Sequence, residues 1–185
     1  MDGTGLQGQA ADLRPRERTV LGLLLTWLLA PVLAYDDTQE GRARAEVCRQ
    51  WLDRALREVE ADVEGGPSGS LLHEVVSSEE LQLEEEPDGP AAFRLDFLAA
   101  LAYALEAGQG NERSFTGLFS RVESTLYFAD DAGLAPPLPW VDAQVLEVVD
   151  ALREAGASGP VDGALLRRLQ DVLAPSRAVL AEGPA

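Results

Sequence analysis

Asp36, Asp37 and Glu40 stand in the order Asp-Asp-x-x-Glu. Carboxylates one helical turn apart can share divalent cations, and magnesium held in this way binds a diphosphate. Asp130 and Asp131 offer a second acidic pair at another expected helix end. Length argues against this chemistry, because 185 residues are few for an all-helical cavity enclosing such a substrate, and the segment after Asn111 supplies no fuller second motif. The string is therefore read first as an acidic turn between helices. A magnesium-dependent helical enzyme acting on a diphosphate, with Asp36, Asp37 and Glu40 as ligands, is the alternative. Glu79, Glu80 and Glu84 raise a similar question, since magnesium sites are also built from Glu-x-x-Glu pairs on adjacent helices. Pro87 and the surrounding acids place these three in a loop, whereas a metal cage needs ligands on rigid elements.

Other nucleophiles and ligands are scarce. His73 is the only histidine, which excludes His-rich metal sites and two-histidine mechanisms on this chain. Beside Leu71 and Leu72 it reads as a partly buried structural residue. Cys48 is the only cysteine, so it can neither close a disulfide within the chain nor build a thiolate cage. Its neighbours Val47 and Trp51 suggest a helix face turned inward, where a thiol packs as a small hydrophobe. A di-metal Glu-x-x-His site is absent, and so are a Gly-rich phosphate loop, a nucleophile elbow and zinc-finger spacing. No catalytic residue and no cofactor is predicted.

Charge is more informative than any motif. The formal net charge is -17, and residues 58–93 contain eleven carboxylates with no Lys or Arg among them. Every cation is an arginine, and lysine and isoleucine are both missing, which fits the codon bias of a GC-rich bacterial genome. Part of the acidity shares that origin, so its uneven placement carries more weight than its total. A field of this sign makes duplex DNA and anionic membranes poor partners, because a phosphate surface needs clustered cations to displace its counterions. A basic protein is the expected partner. The sequence therefore suggests a non-enzymatic acidic binding protein, an immunity- or antitoxin-like inhibitor or an adaptor. Its contacts would be Glu79, Glu80, Glu84, Glu85, Glu86 and Asp88, in an acidic mobile insert at about 77–89 that wraps a cationic groove and orders on binding.

The elements that must position these residues are helical. Composition is that of a globular protein, with 46% hydrophobic and 25% charged residues. Residues 1–13 are polar and Gly-rich, and a disordered N-terminal tail is expected ahead of one all-α domain over 14–183. Residues 20–35 are apolar all round the helical circle, so they are either a buried central helix or a segment outside water. At about sixteen residues the run is short of the roughly twenty that cross a bilayer. Arg14, Arg16 and Arg18 before it and a small-residue site ending at Ala34 also fit a secretory signal. Asp2, Asp12 and Glu17 offset those arginines, and a free cysteine suits a reducing compartment. A cytoplasmic protein with a core helix is expected, with an exported one cleaved near Ala34 as the alternative. Pro31 is expected to kink that helix near its end.

Residues 42–62 form the clearest amphipathic pattern, with Ala45, Cys48, Leu52, Ala55, Leu56 and Val59 on one face. Ser70 can cap a short helix to Val76, and Pro90 opens an alanine-rich core helix closed by Gly108 and Gly110. Phe115, Leu118, Phe119, Val122 and Leu126 mark the next helix. Val141, Val145, Val148, Val149 and Leu152 mark another, which Gly156 should stop. Asp162 can cap the segment carrying Leu165, Leu166, Leu169, Val172 and Leu173, and Pro175 should break it before a last turn. No strand pattern of useful length is present. The fold class is all-α, a single-domain helical bundle of about six to eight helices with a central apolar helix.

The order of apolar helix, Pro31, polar turn and then Arg49-x-Trp51-Leu52-Asp53 resembles a group of uncharacterised all-helical bacterial proteins. The alanine-rich helix near residues 99–105, followed by an amphipathic one, is similar too. In that group a charged pair precedes the proline, and Thr26-Trp27 stands there instead. The resemblance implies an α-helical bundle and no activity, and no functional residue is carried over from it.

Overall fold

The computed structural model describes residues 3–61, 67, 69–82, 89–131, 138–158 and 161–182. Among these it forms eight α-helices and no strand, an all-α bundle in one domain. The helices are α1 (Gly3–Ala10), α2 (Pro15–Leu29), α3 (Gln39–Glu60), α4 (Gly69–Val76), α5 (Pro90–Ala107), α6 (Glu112–Asp131), α7 (Leu138–Ser158) and α8 (Gly163–Ala181). Two 3₁₀ turns, Ala30–Ala34 and Glu79–Gln82, join α2 to α3 and follow α4.

The apolar helix α2 lies at the centre, against α3, α5, α6, α7 and α8. A helix with no polar stripe can be stable in water only if it is surrounded. Val20, Leu21, Leu23, Leu24, Leu25, Leu28 and Leu29 are all fully buried. With its 3₁₀ extension the stretch Pro15–Ala34 runs for 20 residues, long and apolar enough to cross a membrane by length and composition, and most of it is buried inside this fold. Pro31 does not kink it. The α-helix stops at Leu29, and Pro31 sits in the first turn of the 3₁₀ segment, where a missing amide donor leaves little unsatisfied.

Alpha helix α2 packs most extensively on α5. Their closest approach is at Gly22, where a Cβ would lie 2.6 Å from Ala104 Cβ and 2.9 Å from Ala104 Cα. Small residues on both sides let the two backbones meet. On the far side of α5, Asp96 accepts a 2.7 Å hydrogen bond from Arg121 Nη1 and one of 3.0 Å from Thr125 Oγ1, which fixes α5 against α6. Helix α7 is pinned to α8 by Ser176 Oγ donating to Gln144 Oε1 at 2.7 Å, both side chains buried.

The stripes read from the sequence face inward as expected on α3, α6 and α7. The predicted cap at Asp162 is present, its carboxylate accepting from Leu165 N at 2.8 Å. Four local expectations are corrected. Residues 3–13, expected within a disordered tail, are not a bare tail: α1 packs against α6 and α7, with Leu6, Ala10 and Leu13 buried. Tertiary burial along an i, i+4, i+7 edge outweighs its poor helix propensity. Gly156 does not stop α7, because its missing Cβ leaves room for the buried Glu17 carboxylate, and the helix runs on to Ser158. Pro175 lies inside an unbroken α8, where the Ser176 bond and a 2.8 Å hydrogen bond from Tyr35 Oη to Leu180 O hold the turns after it. His73 is exposed on α4, while Leu71 and Val75 fill the inner face.

Candidate functional site

The acidic string at residues 36–40 is a helix cap with an ionic cluster built on it. Thr38 is the N-cap of α3, its hydroxyl accepting from Gly41 N at 2.9 Å. Asp36 accepts from that same hydroxyl at 2.7 Å and from Arg94 Nη1, on α5, at 2.8 Å. The Asp36 carboxylate lies directly over Gly41, where any Cβ would overlap it. Glu40 pairs with Arg44 Nη2 at 2.7 Å, one turn along α3, and Asp37 is exposed. The three carboxylates of the Asp-Asp-x-x-Glu string thus point to different places. Among the described residues no three His, Cys, Asp or Glu side chains converge to hold a metal ion. Asp130 is exposed near the end of α6.

Arg44 also reaches the 3₁₀ turn after α4, at 2.9 Å from Glu80 and 3.4 Å from Glu79. Glu80 turns inward. Besides Arg44 it meets Arg94 Nε at 3.3 Å, an ion-pair distance without hydrogen-bond alignment. Arg94 is thereby clamped between Asp36 and Glu80 with its side chain only 10% exposed. Glu79 stays outside, its side chain 80% exposed. Glu84, Glu85, Glu86 and Asp88 lie outside the described residues. Glu79 and Glu80, expected in a mobile insert, are held to α3 by Arg44.

Electrostatics follow from these contacts. The hydrogen bond from Thr38 and then that from Arg94 hold the Asp36 carboxyl below its usual value. For Glu80, burial pushes upward, but the hydrogen bond from Arg44, a backbone N–H and the two guanidinium charges outweigh it, and the net shift is downward. Both groups are carboxylates at neutral pH, so this cluster sets four negative charges, Asp36, Glu40, Glu79 and Glu80, against two positive ones. Beside it a cleft of about 250 Å³ is lined by Arg44, Val47, Cys48, Trp51, Glu79 and Glu80.

Cys48 is buried beneath this cleft, as the sequence suggested, although Val47 beside it is 43% exposed. Burial, and secondarily the negative charge of Glu80, pushes its thiol up to about 12. Cys48 should therefore resist iodoacetamide in the native protein at pH 8 and label only under denaturing conditions, read by intact mass. Rapid native labelling would contradict the burial described here.

Sequence reasoning missed Arg44 and Arg94, which organise the cluster. The available signals were Arg44 one turn after Glu40, and an arginine inside an otherwise apolar, alanine-rich α5. Comparison with family models, with curated proteins and with solved structures gives no match to this chain.

Proposed function

We propose that this protein is a non-enzymatic binding protein whose acidic surface docks on a basic protein partner, as an inhibitor or adaptor. One observation carries the reading: in several ion pairs the guanidinium sits low against the fold while its carboxylate stands out, with Glu17, Asp96 and Glu80 turned inward as exceptions. Side-chain exposure is 14% for Arg18 against 84% for its partner Glu112, 34% for Arg44 against 80% for Glu79, and 31% for Arg153 against 69% for Asp150. In those three pairs the negative partner faces solvent, and the chain as a whole carries a net charge of -17. Such a surface accelerates encounter with a cationic protein and repels phosphate backbones. In this reading α2 is kept as the core of the working protein, which acts in the cytoplasm.

The sequence adds four carboxylates over residues 84–88, and the test of the reading is kinetic. Full-length protein immobilised at low salt should retain a basic protein from host lysate that leaves in a salt step. The Glu84→Gln, Glu85→Gln, Glu86→Gln triple variant should then associate with that protein roughly 3- to 10-fold more slowly, with a flatter salt dependence. An empty eluate, or identical association rates across salt, would overturn the proposal.

A further inference from the structure

Arg177, on α8, is set unlike the other half-buried arginines. Its guanidinium carbon lies 4.4 Å from the centroid of the Trp27 ring, and its Nε donates to Trp27 O at 3.1 Å. Those two contacts fix the plane of the group. Among the described residues no carboxylate pairs with it, although acids outnumber arginines 32 to 15 in this chain. Its two terminal nitrogens make no hydrogen bond within the described structure. The carbonyl end of α2 supplies some compensation, but a helix terminus is worth only about half a charge.

We infer that Arg177, oriented on Trp27, is a binding site for a small oxyanion, a carboxylate or phosphate group received on the two terminal nitrogens. A planar guanidinium held in place offers a bidentate fork with little ordering entropy left to lose, which is the geometry these anions select. Cation–π contact keeps the group charged while half-buried without using its hydrogen-bonding edge. A second arginine reinforces the site. Burial first, and then the positive charge of Arg49 on α3, lowers the Arg177 pKa. Arg49 itself has only a loose 3.8 Å contact with the exposed Glu46. An anion would relieve the repulsion between Arg49 and Arg177. The site has the opposite sign to the acidic surface.

The test follows the arginine Nε–Hε signals of ¹⁵N-labelled full-length protein by NMR at constant ionic strength, with Arg177→Lys identifying the Arg177 signal. Inorganic phosphate or succinate, exchanged for chloride, should shift that signal saturably and leave most other arginine signals in place. A response to phosphate alone or to succinate alone supports the site and names the anion source. Arg49→Gln, on the surface of α3, should weaken the response roughly 3- to 10-fold. As a second readout, saturating anion should raise the melting temperature of the wild type more than that of Arg177→Lys. No saturable shift at Arg177, an equal shift of all arginine signals, or an unchanged response in Arg49→Gln would overturn the inference.

Discussion

Gly22→Val is expected to cost about 3–5 kcal/mol, the upper range for forcing extra carbons into a packed core. The site is where α2 and α5 touch, with the missing Cβ 2.6 Å from Ala104 Cβ, 2.9 Å from Ala104 Cα and 3.0 Å from Leu118 Cδ2. One of those neighbours is backbone, so no rotamer change can clear it, and the helices must separate. Separation would loosen α2 from its most extensive partner. Gly22→Ala should lose less, roughly 1–2 kcal/mol, because alanine returns about 1 kcal/mol of helix propensity. Adding Ala104→Gly to Gly22→Ala should recover part of that loss, since it removes the closest of the contacts. Urea denaturation of the three variants checks the order. If Gly22→Val unfolds at the wild-type midpoint, the close crossing is wrong.

Arg94→Met should be nearly as damaging at neutral pH, by about 2–4 kcal/mol, and its effect should depend on pH. Methionine fills much of the same volume, but Asp36 loses its charged partner and Glu80 keeps only Arg44. Leaving half-buried carboxylates uncompensated is expensive, although Asp36 can regain water at the edge of the cluster. Both acids have folded-state pKa values below their ordinary ones. The stability they contribute is therefore present above their unfolded values, roughly pH 4, and is lost as pH falls through the lower folded values. In the wild type this contribution fades on acidification, while the variant has less of it to lose. The gap in urea midpoint between wild type and Arg94→Met should be wide at pH 7 and narrow at pH 3.5. An equal gap at both would show that Arg94 acts through packing alone.

Helix periodicity made most of the architecture legible. Where one face of a helix meets the core, as at Cys48, Leu52 and Val59 or at Val141, Val145 and Val148, a spacing of three and four residues is enough to identify it. Helix α2 was legible for the opposite reason, since a segment apolar on every side must be enclosed by something. Local punctuation was less dependable. Gly156 and Pro175 are breakers only when nothing nearby rewards continuing the helix. Here Glu17 fills the space beside Gly156, and the Ser176 hydroxyl and the Leu180 carbonyl are each tied to another element. Helix α1 was invisible because its stability lies in surfaces contributed by residues more than a hundred positions away, such as Thr116 and Arg153. The ionic cluster was half legible. Its acids were noticed as a motif, but whether Asp36 faces a cation or a metal depends on Arg94, 58 residues later and on a different helix. Periodicity within one element says nothing about such a meeting.

The central position of α2 also has a consequence in time. This helix is complete within the first 29 residues, but α8, one of the walls that enclose it, begins only at Gly163. At the usual pace of synthesis, roughly 5–20 residues per second, the most apolar segment of the chain waits on the order of ten seconds for that last neighbour. During that interval its leucines are available to whatever binds greasy nascent helices at the ribosome exit. For this protein, order of translation and order of packing run in opposite directions.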